Sequence, residues 1–169
     1  MLFRRATKMR VVTVDGNGKE LGDARWVEIP KPEKFRSEGF AQIENYISRL
    51  LKSSARFNSL IIARPNGQMA VSVMKRGKLP WFSVMVNWRS EPERERAIRD
   101  FFAQRGLSTT QDYLAGNGEV PDAIRCLAYS LPADVQFITA ITKEVLREVY
   151  HLREEEGLNF TFQEDHDAV

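Results

Sequence analysis

Three apolar stripes at helical spacing, separated by short extended runs with tight turns between them, set the order of elements over residues 37 to 154. That order is helix, three strands, helix, two strands, helix. Strands joined by tight turns pair antiparallel, and helices with one apolar stripe must lay it on a sheet face. The expected class is therefore α+β, an antiparallel sheet with helices on one face, preceded by a β-hairpin. A chain of 169 residues with 43% hydrophobic content suits one such domain and can bury a full core.

The individual signals are local. Residues 9–29 read as the hairpin: Val12 and Val14 alternate with Val11 and Thr13, Asp15-Gly16-Asn17-Gly18 turns the chain, and Trp26, Val27 and Ile29 resume it. Pro30 and Pro32 end that pattern. From Ser37, the recurrence of Phe40, Ile43, Ile47, Leu50 and Leu51 predicts a helix, with Gly39 weakening its first turn. Strands follow over 57–63, 68–75 and 81–88, with Arg64-Pro65-Asn66-Gly67 and Gly77 as their turns. Ser90-Glu91-Pro92-Glu93 predicts a capped helix start, Ser90 as the cap and Glu93 at the reciprocal position, with Ala97, Ile98, Phe101 and Phe102 turned inward.

Strands are next expected over 107–114 and 123–129, the second with Ile124, Cys126 and Ala128 on one face. Asp134 opens a long closing helix to Glu154, with Phe137, Ile138, Ile141, Val145, Val149 and Leu152 as its stripe and Gly157 as its stop. Phe160 and Phe162 alternate with polar neighbours and predict a short edge strand over 159–163. Residues 1–8 read as a flexible basic leader lacking the apolar run of a signal peptide, and 164–169 as an acidic tail. Residues 1–152 carry a balance of +7 and residues 153–169 one of −5, inside a total of +2.

Most candidate chemistry fails on spacing. Asp15 to Trp26 has the opening of a calcium loop, but Lys19, Glu20 and Trp26 stand where a ligand, a glycine and a bidentate glutamate belong. Gly116 and Gly118 lack the third glycine, the lysine and the hydroxyl of a phosphate loop, with Pro121 in the way. A lone Cys126 excludes an intramolecular disulfide and a cysteine zinc cage, suits a reducing cytoplasm, and reads as a small buried residue on the inner sheet face. His151 with Glu154 or Glu155 makes two ligands of a metal site, not a whole one. No catalytic residue, cofactor, metal or membrane partner is expected.

Two features invite a partner instead. In the third core strand Phe82, Val84, Val86 and Trp88 form the core face, leaving Trp81, Ser83, Met85 and Asn87 opposite. In the second, Met69, Val71 and Val73 form the core set, leaving Ala70, Ser72 and Met74. Thioethers and indoles among small polar residues suit recognition, because methionine adapts its shape and tryptophan is enriched at interface cores. The competing reading is that the N-terminal hairpin covers this face. Beside it, Lys75, Arg76 and Lys78 form a basic turn.

The order of elements from Ser37 to Glu154, with its short strands and long closing helix, resembles the type III secretion chaperone-like fold and the YbjN-type proteins. That resemblance implies an antiparallel sheet with helices on one face, a homodimer, and a role in holding or regulating protein partners. The leading expectation is a non-catalytic protein-interaction module, chaperone-like or regulatory and cytoplasmic. It binds a protein or peptide, or itself, through Met74, Trp81 and Met85, with Lys75, Arg76 and Lys78 as an electrostatic rim. The alternatives are a nucleic-acid-binding regulator using the basic turn and the N-terminal arm, or a small enzyme whose site gathers residues such as Asp112, Tyr113, Glu119 and His151.

Overall fold

The computed structural model describes residues 7–14, 20–29, 31–87, 89–115 and 124–166, for the first two stretches as backbone alone. Two compact units divide the chain, Met1–Pro32 and Glu33–Val169. In the first, β1 (Thr7–Val14) pairs antiparallel with β2 (Glu20–Ile29), Thr7 opposite Ile29 and Val14 opposite Glu20. The expected turn at Asp15 to Gly18 lies outside the described residues, as do positions 1–6 of the leader. Thr7 and Lys8, read as leader, belong to the strand.

The second unit has the expected α+β architecture. Its elements are β3 (Glu33–Ser37), α1 (Ile43–Lys52), β4 (Phe57–Ala63), β5 (Met69–Arg76), β6 (Leu79–Asn87), α2 (Pro92–Ala103), β7 (Thr109–Ala115), β8 (Ile124–Ser130), α3 (Val135–Glu144) and β9 (Leu158–Asp165). Seven strands form one antiparallel sheet in the order β3-β9-β4-β5-β6-β8-β7. The core lies between one face of it and the helices. Leu60, Ile62, Val71, Val73, Phe82, Val84, Leu127, Tyr129, Phe160 and Phe162 meet Ile43, Ile47, Leu50, Ile98, Phe102, Ile138 and Leu146 there. Phe102 stacks on Tyr129 with ring centroids 3.6 Å apart.

Several expectations are corrected by tertiary pairing. The 159–163 segment is an interior strand, not an edge: β9 runs from Leu158 to Asp165 between β3 and β4, and β3, unread in the sequence, is the true edge. The beginning of the acidic tail is thereby structured, with Glu164 and Asp165 inside β9. The first helix starts at Ile43 because Ser37 is taken by β3 and Gly39 adopts φ +74°. The main chain of Glu154 presses against Gly39 so closely that a Cβ there would collide with the Glu154 carbonyl. The Phe40 amide donates to that same carbonyl at 2.9 Å.

The closing helix also ends early. Asp134 caps it as expected, accepting from the Phe137 amide at 2.7 Å. After Glu144 the chain widens into a π-helical turn over Val145–Val149 and then breaks, with His151 at φ +55°, so Gly157 is not the stop. Phe137, expected in the stripe, is exposed, while Leu146 is buried. At α2 the expected capping box does not form: Glu91 occupies the cap position without a side-chain cap bond, and Pro92 opens the helix. Ala70 takes the core place expected of Met69, because β4 and β5 slip by one residue between Ile62/Val71 and Ala63/Met69. Such a bulge reverses the alternation on one side of itself. Cys126 is buried but lies across from Met85, on the face opposite the core, where Leu127 and Tyr129 are its inward neighbours. Trp88 and Glu119 lie outside the described residues. Among the described residues, no helix is long and apolar enough to cross a membrane.

Candidate functional site

The residues singled out as a partner surface divide into three groups. Met74 and Trp81 are directly opposite on β5 and β6, and Leu79 stands two residues before Trp81 on the same side. Leu79 is 65% and Trp81 48% exposed, with Met74 half-buried beside them. Met85, in contrast, is only 5% exposed, flanked by Cys126 across β8, so its thioether has almost no surface to offer. Arg76 and Lys78 are exposed at the hairpin tip. Lys75 points the other way: its ammonium donates to the carbonyls of Leu51 at 2.7 Å and Ser53 at 2.8 Å, neutralising the carbonyl end of α1. The basic run of Lys75, Arg76 and Lys78 suggests a rim, whereas alternation with Val71 and Val73 gives Lys75 the helix-covered face where it is found.

Two of the three arginines of α2, Arg94 and Arg99, are engaged in carboxylate pairs, as are Arg105 just after it and Arg125 of β8, while Arg96 is exposed. Arg99 and Arg125 both bind Glu95 and Asp112, with Arg99 at 2.6 Å and Arg125 at 2.8 Å from Asp112. The bonds from Arg125 first, then Arg99, outweigh burial and hold the Asp112 carboxyl down at about 2. Arg105 reaches Glu144 at 2.9 Å. Asp112 and Tyr113 project to opposite faces of β7, and Tyr113 sits beside Cys126, whose thiol burial pushes upward. The helix has ended before His151, so its pairing with Glu154 or Glu155 on a helical face does not form. Of the residues in the enzyme reading, Asp112 and Tyr113 therefore occupy opposite sheet faces, and among the described residues no group of three or more metal-ligating side chains occurs.

A second arrangement brings together residues far apart in the sequence. β5 and β6 are paired from Val71 opposite Val84 to Arg76 opposite Leu79, yet β5 begins at Met69 and β6 continues to Asn87. Where pairing ceases, the Tyr150 hydroxyl donates to both the Met85 carbonyl, at 2.5 Å, and the Ala70 carbonyl, at 3.1 Å. Buried carbonyls without a ladder partner need such a donor. Burial holds the Tyr150 phenol well above its ordinary value, so it keeps its proton. Arg64 and Arg94 lie over the Tyr150 ring, 5.2 and 4.8 Å from its centroid.

Glu91 binds both guanidiniums, Arg64 end-on through two bonds of 3.0 and 3.2 Å and Arg94 at 3.1 Å. It also accepts from the Asn87 amide at 3.1 Å. Although burial pushes Glu91 up, the Asn87 amide and then Arg64 and Arg94 bring it below the usual carboxylate range. Beside this cluster, a cavity of about 330 Å³ is walled by Arg64, Gln68, Met69, Val86, Asn87 and Ile124. No spacing rule links residues 64, 91, 94 and 150; the one local mark in the sequence is an arginine at the end of an apolar strand, directly before a Pro-Asn-Gly turn. Compared with protein-family models, curated proteins and solved structures, the chain matches none.

Proposed function

We propose that the chain is a non-catalytic protein-interaction module, chaperone-like or regulatory, working in the cytoplasm. It takes a protein or peptide partner, or a second copy of itself, on the β5–β6 hairpin. The observation that carries this reading is the exposed pair Leu79 and Trp81 on one side of β6, with Met74 directly across. Large apolar side chains at a strand end cost solubility unless something docks on them, and a central tryptophan ringed by charge is a common anchor. Arg76 and Lys78 supply a basic rim, which favours a partner with acidic residues flanking an apolar segment. The chaperone-like part of the proposal rests on the order of elements from α1 to α3.

Nucleic acid is the less favoured partner. Lys75 is spent on the end of α1, and Arg94, Arg99, Arg105 and Arg125 are held by carboxylates. The exposed Arg76 and Lys78 at the hairpin make too small a basic track for several phosphates. The test is Leu79→Ser with Trp81→Ser, examined by affinity capture and light scattering against the unaltered chain. Loss of a discrete protein partner or of self-association, by about thirtyfold in affinity, is expected while the folded spectrum is retained. Capture that survives both substitutions, or retention of nucleic acid with a steep salt dependence, rejects the proposal.

A further inference from the structure

We infer that the cavity beside Arg64 is a binding site for a small organic anion, a carboxylate or phosphate head on an apolar body. Charge is the first argument. Arg64 and Arg94 share the single carboxylate of Glu91, so the cluster keeps one positive charge among the described residues. The Arg64–Glu91 pair is only 9% and 14% exposed, and the surplus charge on Arg94, 23% exposed beside it, is weakly screened there, so an incoming anion is attracted.

Donor capacity is the second argument. The two bonds to Glu91 use two of the five N–H groups of Arg64, and its buried Nε has no partner among the described residues. Rigidity is the third. The main chain of Arg64 is fixed by the Gln68 carbonyl at 2.8 Å, by the Gly67 amide at 2.8 Å and by Asn159 at 3.1 Å, while Tyr150 supports the guanidinium plane. A guanidinium held this way loses little freedom on binding an anion.

The walls define the rest of the ligand. Met69, Val86 and Ile124 are apolar, Gln68 and Asn87 polar, and about 330 Å³ matches a molecule the size of a substituted benzene ring with an anionic head. The cavity exists because β5 and β6 part at Ala70 and Met85, and the Tyr150 hydroxyl holds them there. This site is separate from the hairpin tip, at the other end of the same strand pair.

Benzoate and phenyl phosphate, with neutral benzamide as control, test the inference on the full chain by methyl NMR of Met69 and Ile124. Saturable shifts of both methyls with either anion, and none with benzamide, are expected, the tighter anion naming the headgroup. Gln68→Glu places a negative charge at the exposed lip and should weaken binding about tenfold at low salt. Ile124→Trp should fill the space and abolish binding. Because Arg64→Gln risks the fold, these two variants carry the test. Absence of saturable shifts with both anions, equal response to benzamide, or unchanged affinity in Gln68→Glu overturns the site.

Discussion

Single side chains here do work that a residue's type alone does not announce. Tyr150 is the clearest case. Its ring lies under two guanidiniums and its one hydroxyl serves two main-chain carbonyls on neighbouring strands. Tyr150→Phe keeps the ring and removes only the donor, so it should lower stability by about 1–3 kcal/mol, the penalty of stranded buried acceptors. Denaturant unfolding measures this directly, and an unchanged midpoint would show that the carbonyls find other donors. Lys75 teaches the same lesson. It sits in a basic triplet in sequence, yet its ammonium turns away from Arg76 and Lys78 to close α1. A charge run is legible in sequence; the direction of each charge follows from which sheet face its strand position gives it.

At the level of elements, the order from α1 to α3 was legible because each element carries its own period and its own turn chemistry. Val71, Val73, Phe82 and Val84 alternate as the sheet requires, and Asp134 caps α3 by its own side chain. What was not legible came from contacts distant in sequence. β3 carries no strong strand pattern of its own and exists by pairing with β9, where Phe35 stacks on Phe160 at 4.9 Å. The bulge that admits Ala70 to the core is a register event between two strands. The cleft walled by Arg64 combines both effects, and periodicity could not bring residues 64, 91 and 150 together. Gly39 marks another such junction, with φ +74° and no room for a Cβ against the Glu154 main chain. Gly39→Ala should therefore cost about 2 kcal/mol or more, through strain plus displacement of the segment after α3. Thermal unfolding of the variant checks it: a loss below 1 kcal/mol would mean the 153–157 segment yields easily.

On the scale of the whole second unit, the sheet closes through its last strand. β9 enters between β3 and β4, so the strand made last separates two strands that come earlier in the chain. Leu158, Phe160 and Phe162 are each 1% exposed or less and bury the end of the core beneath Tyr46. Arg49 then bridges Glu33 of β3 and Glu164 of β9, at 2.7 and 2.8 Å, tying α1 across the joint. A chain stopped at Gly157 loses three buried apolar side chains, leaves β3 with no neighbour and opens the long edge of β4. Removing that much apolar burial costs on the order of 5 kcal/mol, comparable to the whole stability of a domain this size. Such a truncation should give no cooperative unfolding transition and should aggregate through the β4 edge. A chain stopped at His166 retains β9 entire and should unfold at the midpoint of the full chain. Paired denaturant curves decide it: a cooperative transition for the chain ending at Gly157 would show that the five remaining paired strands form a self-sufficient sheet, with β9 an accessory to it.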